Sequence, residues 1–287
     1  TNFLYLFIAS IIVGSIFAMD RDVLIRGFLK VFVPLAIGSV LAAIVGTVVG
    51  TALGLGAHHT FFYVVAPIMA GGVGEGAIPL SIGYAALTGA AQGEIFAQVL
   101  PPVMLGSLTA ILLAGGLNFV GKKYPSLTGN GQLQPHVGDD SGLRIEDADE
   151  EAKHDVGHVD VGTIAAAGLT ALTLYLLGVL CFHLFGLPAP VAMLFFAVLA
   201  KLTRTVSPEL ERGGMVVYEF VRTNMTYPLL FAIGVALTPW DKLVGAFHLT
   251  NIVTIVATVV TMVASGFVVG RFMNMYPIET AVVNACH

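Results

Sequence analysis

Four glycines and one carboxylate stand together at Gly71, Gly72, Val73, Gly74, Glu75 and Gly76, followed closely by Pro79, Leu80 and Ser81. Glycine lets the backbone take positive φ and approach another group closely. Short half-helices meeting there would each present an N-terminus carrying about half a positive charge. Backbone N–H groups and such dipoles together suit the carboxylate or phosphate of a small anion. Glu75 adds a group able to hold a cation or to titrate, and Ser81 a hydroxyl able to ligate a cation or a carboxylate. Glu75 and Glu94 are the only acids between residues 31 and 120. An ionisable side chain at membrane depth points to function by default. Structural readings compete at each position. Gly72 and Gly76 have small-xxx-small spacing, which also serves helix packing. Ser81 could bond back to its own helix, and Glu75 could sit hydrated at a hairpin mouth. Glu94 is expected near the outer surface and Gln98 in an interhelical hydrogen bond. Glu75, Pro79 and the short flanks argue against one continuous helix, so the segment reads as a binding hairpin.

The elements that would hold this segment are membrane helices. Of 287 residues, 56% are hydrophobic and 11% charged, and mean hydropathy is +0.89, whereas a soluble domain carries about 25% charged residues. The fold class is an all-α membrane protein, a polytopic helical bundle. A bilayer core asks for about 20 apolar residues per span. Spans are expected at 3–19, 31–55, 94–120 (with Pro101 and Pro102 kinking it), 162–185 and 252–269, with short apolar pieces at 61–70, 77–93, 191–201 and 226–237. Irregular backbone at membrane depth survives only inside protein or against a water-filled cavity. Residues 207–222 are amphipathic and suit the membrane surface. Residues 121–160 hold Lys122, Lys123, Arg144 and Lys153 against nine acids from Asp139 to Asp160, a solvated loop.

Basic residues orient these spans, because cytoplasmic loops carry excess Lys and Arg. With residues 20–30 inside, 31–55 exits at His58, and only 94–120 returns to the basic pair Lys122 and Lys123. Residues 61–93 must then enter and leave on the outer side as a re-entrant hairpin. Twelve of the 13 Lys and Arg then fall inside, Lys242 alone outside. The string Asp22 to Phe28 resembles Asp241 to Phe247, and the two copies lie on opposite sides, the sign of inverted repeats. This divides the chain into first-repeat spans (1–120, hairpin 61–93), an acidic cytoplasmic loop (121–160) and second-repeat spans (161–287). The start at Thr1 and the stop at His287 read as a fragment, with a second hairpin expected near or after His287. Cys181 and Cys286 imply no disulfide framework. His58-His59 and His154/His158 are weak metal candidates. No nucleotide-binding loop, paired nucleophile and base, or aromatic-basic patch appears, which argues against ATP drive, enzyme chemistry and nucleic-acid partners.

Five strings in order resemble the 2-hydroxycarboxylate transporter family: Asn2 to Ala9, the glycine segment with Pro79-Leu80-Ser81, Gly121 to Leu133, Ser207 to Leu210, and Tyr276 to Glu279. The resemblance covers essentially the whole chain. It implies a multi-pass protein of the bacterial inner membrane, a homodimer with a rigid dimerisation part and an elevator-like transport part. It implies symport of a small 2-hydroxycarboxylate such as citrate or malate with Na⁺ or H⁺, Na⁺ being favoured, and no cofactor. Gly71, Gly72, Val73, Gly74, Glu75 and Gly76 would bind substrate; Ser81 and Glu75 would bind the cation. The family's substrate-binding arginines would lie past His287. In one respect the chain departs from the family's citrate symporters, which carry asparagine at the position of Val73 and a small residue at that of Glu75. A carboxylate beside a tricarboxylate repels it unless protonated or cation-paired, which favours malate or a different cation stoichiometry. The rival reading is a channel with a glycine filter.

Overall fold

The computed structural model describes residues 2–19, 21–133, 159–237 and 247–285, with the backbone alone described at 2, 22–24, 26–30, 75, 230, 233, 234, 236 and 237. Ten of its longer helices are numbered here: α1 Asn2–Ala18, α2 Arg21–Ala52, α3 Ile78–Thr88, α4 Gln92–Lys123, α5 Val161–Phe185, α6 Ala189–Leu202, α7 Pro208–Asn224, α8 Thr226–Leu237, α9 Leu249–Phe272 and α10 Pro277–Ala285. Four are long and apolar enough to cross a bilayer: α2 over Val31–Ala52, α4, α5 and α9. The expected span at the N-terminus, α1, has 17 residues and so reaches only about 25 Å at about 1.5 Å per residue.

Local chemistry sets the ends. The Asp160 carboxylate accepts from Gly162 N–H at 3.0 Å and starts α5; Gly186, at φ 70, closes it with its N–H on Phe182 O. Ser207 caps α7 by accepting from Leu210 N–H at 3.2 Å. Glu209 and Glu211 follow in its first turn and Arg222 stands in its last, matching the helix dipole. α4 stays helical through Pro101 and Pro102. The repeat string at 22–28 lies in α2 with most of its side chains outside the described residues, and residues 241–246 and the acidic residues 139–158, with His154 and His158, fall outside them altogether.

Contacts divide the chain into two units. The first comprises Thr1–Leu24, Ile78–Phe96 and Asp149–Thr238. Here α1 packs on α5, α6 and α7. Gly14 leaves room for Tyr218, and Gly214 for Phe17. The amphipathic α7 thus lays a glycine face on α1 and α5, while Glu209 and Arg212 stay exposed. Lys201 is 2% exposed; its Nζ donates to Phe17 O at 3.0 Å and pairs with Glu211 at 2.8 Å.

The second unit comprises Ile25–Ala77, Ala97–Ala148 and Pro239–His287. Its core gathers Ala42, Val64, Ile68, Ala110, Ile255, Val259 and Met262. α10 lies tightly on α9, where a side chain at Gly266 would meet Thr280 O at 2.8 Å. The Asn284 amide donates to Pro34 O at 3.1 Å and Met262 O at 3.3 Å, tying α10 to α2 and α9.

Candidate functional site

Helix runs without a break through Ala57–His59, a π-helical stretch Thr60–Val65 and Ala66–Ile68, then stops. The last bonds before the glycines are Met69 N–H to Val65 O, at 3.3 Å, and Ala70 N–H to Pro67 O, at 3.1 Å. Gly71 and Gly72 follow at φ 79 and 84, values an L side chain adopts only at a cost. These two left-handed residues end the helix, which is why this position requires glycine. A π-helical turn, Val73–Ala77, then opens a new helix that continues into α3. It closes with Ala77 N–H on Gly72 O at 3.0 Å. Gly76 presses on the Ala70 carbonyl so closely that a Cβ there would overlap it. Pro79 stands in the first turn of α3, where a missing N–H is tolerated. The expected break is therefore present, as helix, two left-handed glycines, helix.

The new helix begins at Val73, so the N–H groups of Val73, Gly74, Glu75 and Gly76 have no carbonyl one turn back to receive them. Gly71 to Gly74 are half-buried and Gly76, Ala77 and Ile78 buried. Such a terminus can hold a carboxylate through N–H donors and the helix dipole. The Glu75 side chain lies outside the described residues. Gly71–Gly76 belong to the second contact unit and Ser81 to the first.

Ser81 is buried, and its hydroxyl donates to Ile78 O at 2.7 Å and accepts from Gln92 Nε2 at 3.1 Å. Among the described residues, one lone pair on Oγ stays unused. Glu94 is exposed in the first turn of α4 and Gln98 is half-buried. His58 and His59 are exposed; the His58 ring lies tilted against Phe62 and the His59 ring stacks on Tyr63. Among the described residues no three His, Cys, Asp or Glu gather as a metal centre.

Sequence reasoning missed three polar positions. Gln92 reaches back to Ser81 across the turn between α3 and α4; its spacing carries no periodic signal. Lys201 looked like the end of a short span, and only the fold shows it buried against Glu211. Glu279 stood within a family string without a role. It is 5% exposed, and its Oε1 accepts from Thr128 Oγ1 at 2.6 Å, Gly129 N–H at 2.7 Å and Gly131 N–H at 3.4 Å. An acid just after Tyr276-Pro277, at a helix start, was the available signal.

The helix break at the glycines and the carboxylate-clasped loop at 128–131 lie in two of the five strings singled out above. Residues 1–287 match the profile of the 2-hydroxycarboxylate transporter family. The chain belongs to this family. A citrate/malate-proton symporter of Bacillus subtilis (strain 168) is 56% identical over 287 residues, covering 100% of this chain and 62% of that protein. A Na⁺-malate symporter of the same organism is 35% identical over 289 residues, covering 100% of this chain and 62% of that protein. A citrate/sodium symporter of Salmonella typhimurium is 28% identical over 289 residues, covering 98% of this chain and 63% of that protein. This member of the 2-hydroxycarboxylate transporter family thus spans about three-fifths of the length of the curated relatives it matches. The family and these relatives are transporters, not enzymes, and the only co-substrates their names give are H⁺ and Na⁺.

Proposed function

We propose that this chain forms part of a secondary transporter that carries citrate or malate across a bacterial inner membrane together with a cation. One observation carries this reading: 56% identity to a citrate/malate-proton symporter along the full chain. That relative favours H⁺ over the Na⁺ the sequence alone suggested, and either hydroxy acid as substrate. The substrate carboxylate sits against the N–H groups of the helix opening at Val73, with Gly71, Gly72, Gly74 and Gly76 giving close access and Val73 lining the approach. Glu75 takes up the proton that relieves its repulsion of the substrate. Ser81 contributes the remaining lone pair of its hydroxyl to the cation.

In the same reading, residues 61–93 enter and leave the bilayer from one side, and helix–break–helix geometry supports such a re-entrant hairpin. Residues 1–120 and 161–287 are inverted repeats around a cytoplasmic loop, 121–160, and two copies form a homodimer with an elevator-like transport part. The test is uptake of radiolabelled citrate and malate by the full-length protein in proteoliposomes, with pH and Na⁺ gradients imposed separately. Uptake driven by the pH gradient is expected. Uptake driven by Na⁺ alone moves the coupling to Na⁺ and removes the proton role of Glu75. Flux indifferent to either gradient overturns symport in favour of a channel. Glu75→Gln should change the pH dependence of uptake; an unchanged profile removes Glu75 from the mechanism.

A further inference from the structure

Glu279 has one oxygen crowded with donors and the other bare. Oε1 accepts from Thr128 Oγ1, Gly129 N–H and Gly131 N–H, whereas Oε2 is buried without a hydrogen-bond partner. The cradle is tightly built. Gly129 lies so close to the Tyr276 ring that a Cβ would overlap it, Tyr276 N–H donates to Leu133 O at 3.0 Å, and Ile278 meets Gly121. Donors on Oε1 therefore orient the carboxylate and fix where Oε2 stands.

A buried carboxylate oxygen with neither donor nor cation is costly. No ion pair among the described residues neutralises it; the side chains of Arg26 and Lys30 on α2 lie outside the described residues. Lys122 and Lys123 at the end of α4, and Arg271 at the end of α9, are exposed, and the phenols Tyr124 and Tyr276 belong to the same segments. Among the described residues the ion pair is Lys201–Glu211, in the other unit.

We propose that Glu279 is a binding position for one small monovalent cation, H⁺ or Na⁺, separate from the glycine segment. The cation meets Oε2, and Thr128 Oγ1, which already accepts from Asn130 N–H at 3.2 Å, offers its one remaining lone pair. The proposal deepens the symport reading, and rests on it only for the cation's role in transport.

The experiment measures thermal unfolding of the full-length protein in detergent, without substrate. One arm scans pH with Na⁺ absent; the other raises NaCl against choline chloride at fixed pH. Wild type should shift its midpoint in one arm, which names the cation, and Glu279→Gln should lose most of that shift. The glutamine keeps a carbonyl oxygen for the three donors but no anionic Oε2. Equal dependence in wild type and Glu279→Gln overturns the proposal, as does wild type without dependence in either arm. Should Glu279→Gln fail to fold, Thr128→Val serves. A several-fold change in the concentration of half-maximal effect is expected, and no change overturns the proposal. Uptake separates the two readings. Coupled uptake with a cation response that survives Glu279→Gln discards the site and keeps symport. No coupled uptake with a Glu279-dependent response discards symport and keeps the site.

Discussion

Gly76→Ala should be among the most damaging single-methyl additions in the chain. Ideal Cβ geometry at Gly76 places the methyl 2.5 Å from the Ala70 carbonyl carbon and 3.1 Å from Ala70 Cβ, nearer still to the carbonyl oxygen, where ordinary contact begins at 3.4 Å. The backbone must open by about 0.9 Å (3.4 − 2.5) to relieve the carbon contact alone. Neither partner is a flexible side chain. The opening pulls on the turn closed by Ala77 N–H to Gly72 O. Overpacking of this kind costs about 1–3 kcal/mol, and a backbone-on-backbone clash belongs at the upper end. At about 2–4 °C per kcal/mol, the midpoint should fall by roughly 5–10 °C. Gly72→Ala is the internal comparison. No atom lies within 4 Å of its Cβ position, and only φ 84 opposes the side chain. That costs about 1–2 kcal/mol. Thermal unfolding of the full-length protein in detergent checks the order. A Gly76→Ala variant that melts at or above the Gly72→Ala midpoint refutes the packing argument.

Glu211→Gln should destabilise more than Lys201→Met, because it leaves the Lys201 charge buried with only Phe17 O. Breaking one side of a buried pair costs about 3–5 kcal/mol, and parallel denaturation of the two variants checks the order. Gly178→Ala would put a methyl 2.5 Å from Ala189 O and should lower the melting point, whereas Gly115→Ala meets nothing within 4 Å and should not. The gain at Gly115 should be at most about 1 kcal/mol, so equal losses at both sites would contradict the helix packing. Asn284→Ala removes the bonds to Pro34 O and Met262 O. It should cost about 1–3 kcal/mol; a neutral effect in thermal unfolding would deny that tie.

Much of the local structure was readable in one dimension. Apolar runs long enough for a bilayer marked α2, α4, α5 and α9, because hydropathy acts residue by residue. The glycine break was readable because two adjacent glycines and a following proline oppose a continuous helix wherever they stand. Ser207 and Asp160 cap their helices by equally local chemistry. Less was readable in residues 121–160. The composition says solvated loop, yet Pro125–Leu127 forms a 3₁₀ turn and 128–131 is clasped by Glu279. A docked loop and a free one share the same composition when the docking group lies about 150 residues away.

The sequence by itself determined the class of protein, the helical spans, the place of the break and the family, since each follows from local propensity, span length or ordered strings. Tertiary structure alone decided the polar partnerships. Ser81 meets Gln92, Lys201 meets Glu211 and Phe17, Asn284 meets Pro34 and Met262, and Glu279 meets Thr128, Gly129 and Gly131. A buried polar group needs a partner within about 3 Å, and these partners come from other elements of the fold. Hydropathy and spacing show which groups must be paired, but only packing brings a particular donor to a particular acceptor.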